Sequence, residues 1–346
     1  MLPERKMKLP YHHLVLLAMT MSFATQAARA DDLSIWKLPE APIPANNPQS
    51  QAKIALGKQL AFDTRLSKND ALSCASCHVS STGGGGLTPR AFGQVGELGR
   101  WAPTWDNSAY STSLFWDGRA ASLEQQTGAL PGHMGPISSP AEMAVHVQEV
   151  VNRLNAIPGY RKEFQEAFGS PATPENLAQA IAAFERTLVA TESPFQKYVR
   201  GDVQALSPAA KRGFAIFTGK GLCTICHTAP LMTDNQFHNI GVPQVGPLHE
   251  DLGRYEVTHK DDDKGKFKTP TLYNSGALVF YMHDGAFSTL RQVVDHYNAG
   301  GNSKAPNQDR LLMPLHLTED EKSDLVAFLQ SLTDERLNQV SRPELP

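Results

Sequence analysis

Apolar residues recur at helical spacing in several stretches of this chain, and most of those stretches open on a recognisable start signal. Ser50 precedes Ile54 and Leu60, which predicts a short helix capped by that serine. Ser139-Pro140 predicts the start of a helix carrying Val145, Val150, Val151 and Leu154. Thr173-Pro174 opens another, with Leu177, Ile181, Phe184 and Leu188 on one stripe, and Ser207-Pro208 starts a helix that runs toward Cys223. Thr318 and Glu321 form a capping box ahead of Leu325, Phe328, Leu329 and Leu332. Strand signals are sparse. Residues 79–112 and 228–275 are rich in Gly and Pro and lack clear periodicity. The expected fold class is all-α, mostly helices joined by long loops.

The cysteines sharpen this picture. Cys74-Ala75-Ser76-Cys77-His78 and Cys223-Thr224-Ile225-Cys226-His227 use all four in the chain. C-x-x-C-H is the attachment signature of a c-type haem, in which the thiols add across the porphyrin vinyl groups and the next histidine binds iron. One zinc site with four thiolate ligands, or two redox disulfides, are the alternatives. Neither explains a histidine directly after the second cysteine both times. The motifs lie 149 residues apart, so the chain reads as two cytochrome c-like domains with one covalent haem each. The Gly- and Pro-rich stretches then become loops over porphyrin faces. Ser193-Pro194 and Gly201-Asp202 punctuate the helices between the motifs, which divides the chain into an N-terminal domain, 31–198, and a C-terminal domain, 199–346.

The N-terminus adds a compartment. Arg5, Lys6 and Lys8 precede a short apolar stretch, Leu14 to Ala24, and Ala28-Arg29-Ala30 offers a cleavage site. Residues 1–30 read as a secretory signal peptide, with no stable membrane anchor left after cleavage. Covalent c-type haem is assembled outside the bacterial cytoplasm, so the expected location is the periplasm. Residues 31–346 carry 28 Lys and Arg against 34 Asp and Glu, a balance of −6. There is no basic run, which argues against nucleic acid as a partner. An acidic surface suits a small basic or dipolar redox protein. The sixth coordination site of each iron decides between electron transfer and peroxide chemistry. With ten histidines and five methionines in this part of the chain, spacing alone does not choose the ligand.

Further motifs flank both cysteine pairs. Around the first stand Arg100-Trp101-Ala102-Pro103-Thr104, Phe115-Trp116-Asp117-Gly118-Arg119-Ala120, Leu123-Glu124-Gln125-Gln126, Gly135-Pro136 and Glu142-Met143. Around the second stand Phe237-His238-Asn239-Ile240-Gly241-Val242-Pro243, Phe267-Lys268-Thr269-Pro270-Thr271-Leu272, His283-Asp284-Gly285 and Thr289-Leu290. In order and spacing these resemble the bacterial di-haem cytochrome c peroxidase superfamily, over about residues 50–335. The resemblance implies a peroxidatic N-terminal haem with His78 proximal, Glu142 as the distal proton-transfer group and Gln126 as the distal glutamine. Glu142 also stands three residues after Ser139, where a capping-box glutamate would sit. Trp116 matches the tryptophan that the family places between its haems, where it could relay charge; as a buried indole it could equally serve packing. The C-terminal haem, with His227 proximal, would transfer electrons.

Departures within the resemblance point to its MauG-like branch. Where the peroxidase branch has a methionine ligand, this chain has Tyr297, which makes a phenolate the implied sixth ligand; Met282 and His296 are the competing readings. The loop Ala91 to Gly96 lacks the histidine that blocks the first haem in many peroxidases, which implies an open site, with His133 as the residue that could fill it instead. Ca2+ is held in the family by an asparagine, and Trp101 at that position offers no oxygen, which weakens the case for calcium. The implied activity is reduction of H2O2, with a cytochrome c or cupredoxin as donor. MauG-like oxidation of Trp or Tyr in a partner protein is the alternative, and a simple di-haem electron carrier is the reading from another class. Family members are often homodimers.

Overall fold

The computed structural model describes residues 33–346 apart from His249, Ser303 and Lys304; the signal-peptide reading of residues 1–30 lies outside the described residues. Contacts divide the chain into Met1–Leu33, of which only Leu33 is described, and Ser34–Pro346, which holds everything below. The helices are α1 (Gln51–Phe62), α2 (Cys74–Cys77), α3 (Leu123–Gln126), α4 (Val147–Ala156), α5 (Pro158–Phe168), α6 (Pro174–Glu185), α7 (Pro194–Val199), α8 (Pro208–Thr218), α9 (Tyr255–Thr258), α10 (Leu290–Asn298) and α11 (Glu319–Gln330). Among the described residues, strands are limited to two-residue pairs, β1 (Phe92–Gly93) with β2 (Gly96–Glu97), and β3 (Phe237–His238) with β4 (Phe267–Lys268), both antiparallel. The all-α expectation holds.

Most start signals work as read. Ser50, Thr173, Ser207 and Thr318 each accept a hydrogen bond from a first-turn amide, satisfying a donor that no helical carbonyl can reach. Ser139 does not open a helix. The helix starts at Val147, with His146 as its cap. The carbonyls of Glu142 and Met143 accept from Gln94 and Lys68 instead, and Ala144 turns left-handed with φ +53°. These contacts hold Ser139–Val145 as turns, so Glu142 is not a capping-box residue of a helix.

Two helix pairs form the frame, α1 against α6 and α8 against α11, and each closes at a glycine. A Cβ on Gly57 would lie 1.8 Å from Ala180 O and 3.0 Å from Phe184 Cβ; one on Gly213 would lie 2.0 Å from Asp324 O and 2.8 Å from Phe328 Cβ. The backbones touch there, which no other residue type allows. The two contacts are copies of each other, shifted by 144 residues along α6 and α11.

The copying extends into the loops. Residues 102–127 and 269–294 align without a gap at an offset of 167, sharing Pro-Thr, Asn-Ser, Asp-Gly, Leu and Gln. Asn107 and Asn274 are both left-handed, and each carbonyl oxygen of their side chains accepts an amide, from Ala190 and Asp334. Phe115 and Met282, at φ +67° and +72°, hold the same strained turn. The bridges Leu114–Ala120 and Tyr281–Phe287 close over it. Each half is thus a helix pair plus one such loop, and each loop leads into a short capped helix, α3 or α10.

The chain ends cross between the halves. Trp36 packs edge-on against Phe195, Phe214 and Phe217 near α8, while Val340 packs with Ala61, Trp105, Phe184 and Leu188 near α1. The carbonyl of Pro346 accepts from Arg65 Nη1 at 3.1 Å.

Candidate haem sites

The four thiols are unpaired and split between two cavities. That arrangement removes a single four-thiolate zinc site and leaves each C-x-x-C-H at its own cavity. The first cavity, about 430 Å³, is lined by Cys74, Cys77, His78, Trp105, Trp116, Arg119, Gln126, Glu142 and Glu185. The second, about 520 Å³, is lined by Cys223, Cys226, His227, His238, Met282, Tyr297 and again Trp116.

Each histidine is set up as a ligand. His78 Nδ1 donates to Pro103 O at 2.9 Å and lies 3.2 Å from Gly84 O; His227 Nδ1 donates to Met232 O at 2.8 Å. A carbonyl can only accept, so the proton sits on Nδ1 and the Nε2 lone pair is available to iron. Burial holds both imidazoles below their ordinary value, so they stay neutral. Burial pushes the Cys74 and Cys223 thiols up to about 12, the first also raised by Glu185. Paired cysteines and a neutral, oriented histidine at each cavity are the donor set that a c-type haem needs, and the residues fit it twice.

The two cavities differ in what faces the histidine. In the first, Glu142 is half-buried, its enclosed Oε2 has no partner, and desolvation raises its carboxyl above the ordinary value although Arg119 pulls it down. Gln126 lines the same wall; its repeat counterpart, Val293, lines the second cavity. Arg119 stacks on Phe115 at 3.4 Å and its Nη1 donates to Asp117 at 2.9 Å, a cation that motif reading did not single out. Trp105 lies parallel to the His78 ring, with centroids 5.5 Å apart. His133 is exposed and does not line the cavity.

In the second cavity, burial, reinforced by Cys223 and Cys226, keeps the Tyr297 phenol well above its ordinary value. A phenolate there needs a cation to draw off the proton. His296 Nε2 donates to Ile240 O at 2.9 Å and is not among the lining residues. Met282 lines the cavity too, from the strained turn position that Phe115 fills in the first half. His238, a wall residue between Asp309 at 2.6 Å and Asp234 at 3.0 Å, is pushed up to about 10 by Cys226 and by these two carboxylates.

Trp116 borders both cavities and is 8 % exposed. Its Nε1 donates to Trp101 O at 3.0 Å, and Trp101 N donates to His283 O at 2.7 Å. Trp101 Nε1 donates to Gly86 O, so this side chain supplies a donor and no oxygen for calcium.

Comparison with known proteins agrees with this architecture. Residues 51–204 match the family model of the di-haem cytochrome c peroxidases. The methylamine utilization protein MauG of Methylorubrum extorquens is 41 % identical over 332 residues, covering 93 % of this chain and 91 % of that protein. The cytochrome-c peroxidase IdrP1 of a Pseudomonas species (strain SCT) is 36 % identical, covering 92 % and 91 %. A crystal structure of a MauG-like protein associated with microbial copper homeostasis superposes with a TM-score of 0.79 at 31 % identity, covering 89 % of this chain and 99 % of that one. The chain therefore belongs to the di-haem cytochrome c peroxidase family, MauG-like proteins included, and two haems are the cofactors the family implies.

Proposed function

We propose that this chain is a periplasmic di-haem oxidoreductase that reduces H2O2 at an N-terminal haem, with electrons passed through a C-terminal one. Cys74, Cys77 and His78 would hold the first covalently, and Cys223, Cys226 and His227 the second, with Tyr297 as its sixth ligand. The functional division would follow 31–198 and 199–346. When bound, the haems supply the two electrons that convert H2O2, with two protons, into two waters.

The protein's part is positioning and proton movement. His78 is aimed by Pro103 O. Glu142, facing the cavity with one free oxygen and a raised proton affinity, takes the proton from the near peroxide oxygen and returns it to the far one, so that the O–O bond breaks toward water. Gln126 orients the same substrate. Trp116, walled into both cavities, carries charge between them. Tyr297 provides a hard anionic donor that favours the oxidised metal, unlike a thioether.

The observation that carries this reading is the asymmetry of a repeated fold. Glu142 and Gln126 stand at one cavity, while the other has Val293 for Gln126 and the Tyr297 phenol in its wall. It favours an enzyme over a simple electron carrier, which would need both irons closed. Among the described residues no helix is long and apolar enough to cross a membrane.

A second reading rests on the 41 % identity to a MauG and on Tyr297 at the second cavity: the two electrons come from Trp or Tyr of a partner protein, which is oxidised, instead of from a cytochrome c or cupredoxin. Optical titration of the purified ferric protein with peroxide tests the common core, and no reaction at one equivalent would sink it. Fast steady-state turnover with reduced cytochrome c supports scavenging; slow turnover favours partner oxidation.

A further inference from the structure

Glu185 closes α6 inside the first cavity and has no part in the proton transfer above. It is 7 % exposed, it lines the cavity with Cys74 and His78, and its Oε2 has no partner. The repeat supplies an internal control. The α6–α11 offset of 144, fixed by the Gly57 and Gly213 contacts, places Leu329 at the equivalent point of the second cavity, where it lines the wall at 6 % exposure. Ile181 and Leu325, one turn earlier, also correspond and both line their cavities. Packing at this position is therefore satisfied by leucine. A buried carboxyl with a free oxygen is costly by comparison.

Glu142 and Arg119 share the cavity wall with Glu185, and the charges that act on it most are Arg186 and Glu124. Arg186, on its own helix, is committed to Glu124 Oε1 at 2.9 Å, with Nη1 left unpartnered; Glu124, from α3, is also held by Asn47 Nδ2 at 2.8 Å. Helix α1 meets this stretch through Gly57 and Ala61, which carry no charge. Cys74, from α2, loses its thiol proton on forming a thioether. Burial accordingly dominates, and it pushes the Glu185 carboxyl up to about 8, against Arg186 and with Glu124.

We propose that Glu185 is the proton-exchanging positioning residue of the N-terminal haem: it gains a proton when that haem gains an electron, and releases it when the haem is oxidised. This rests on the reading of the first cavity as a haem site. The balance is one electron from a reduced donor onto iron and one proton from solvent onto the carboxylate, so the buried pocket keeps its net charge. An uncompensated charge in a low-dielectric pocket is unfavourable, which is the force that couples the two events.

The experiment is a spectroelectrochemical titration of both haems in the full-length holoprotein, repeated across pH. The variants are Glu185→Gln, which keeps the shape, and Glu185→Leu, which copies the other half. In the native protein the N-terminal midpoint should fall with rising pH, approaching tenfold in the redox equilibrium per pH unit, about 59 mV for one electron. Both variants should flatten that slope and leave the C-terminal haem unchanged. At alkaline pH their N-terminal midpoint should lie above the native one. An unchanged slope in both variants overturns the proposal. Absence of a haem on Cys74 and Cys77, seen by pyridine haemochrome and mass, would instead overturn the underlying site reading.

Discussion

Trp116 and His283 are the same residue of the repeat, and they meet. Their rings pack edge to face with centroids 6.5 Å apart, and His283 stacks on Phe267 at 3.6 Å. The strained turns at Phe115 and Met282 deliver both rings to this point, between the two cavities. Burial takes the His283 imidazole down to about 4, so it stays neutral beside the indole. Replacing Trp116 by Phe keeps an aromatic in place and removes the Nε1–H that ties it to Trp101. Electron equilibration between the haems should slow by at least about tenfold, equivalent to about 1.4 kcal/mol of barrier, with both haem spectra intact. Flash photolysis of the CO-bound, half-reduced protein measures it.

Glu142→Gln keeps the shape of the side chain and removes its proton traffic. The second-order rate with H2O2 should fall by about 10²–10⁴. Stopped-flow mixing at fixed pH reads the rate, and unchanged optical spectra of the resting variant show that the site is otherwise whole.

Tyr297→Phe deletes the phenol oxygen while keeping the ring in the second cavity. The C-terminal haem should lose its anionic ligand and change spin state in electron paramagnetic resonance, while the N-terminal signal stays as it was. A low-spin haem untouched by the substitution would transfer the ligand role to another wall residue, Met282 first.

Gly213→Ala sets a methyl 2.0 Å from Asp324 O, and no rotamer relieves a backbone contact. Destabilisation of about 3 kcal/mol or more follows if the helices part, at the upper end for overpacking. Thermal unfolding of the holoprotein, compared with the native chain, reads the difference.

Asp106 supplies a pH dependence. It is buried, and burial lifts its carboxyl to about 7, opposed by the Asn274 Nδ2 bond at 2.5 Å and aided by Asp334. Folded Asp106 then keeps a proton that the unfolded chain releases near pH 4. Stability from this group is complete below about pH 4 and is lost as pH rises toward about 7. Asp106→Asn should flatten that part of the curve and raise neutral-pH stability by roughly 1–3 kcal/mol. Denaturant midpoints across the pH range check it.

The sequence carried some of this openly. The cysteine pairs mark the two cavities, and Ser50, Thr173, Ser207 and Thr318 mark real helix starts because a cap is a local bond between neighbours. Ser139 misled for the complementary reason: the carbonyls behind it are claimed by Lys68 and Gln94, far away in sequence. In the sequence, Glu185 is one more polar residue on the helix of Leu177 and Ile181. Its burial depends on how closely Gly57 lets α1 approach, which no window along α6 can report. The repeat, by contrast, was there to be found: Pro-Thr, Asn-Ser and Asp-Gly recur at one fixed offset. Aligning the halves would have set Trp116 against His283 and Gln126 against Val293 before any coordinates.

The crossed chain ends bear on how this protein could ever be taken apart. A gene cut after residue 198 would give one fragment whose Trp36 keeps Phe195 but has lost Phe214 and Phe217, and another whose Val340 and Pro346 have nowhere to lodge. Each half borrows a plug from the other, so neither should mature alone, and haem loading of one half should falter when the far terminus is trimmed.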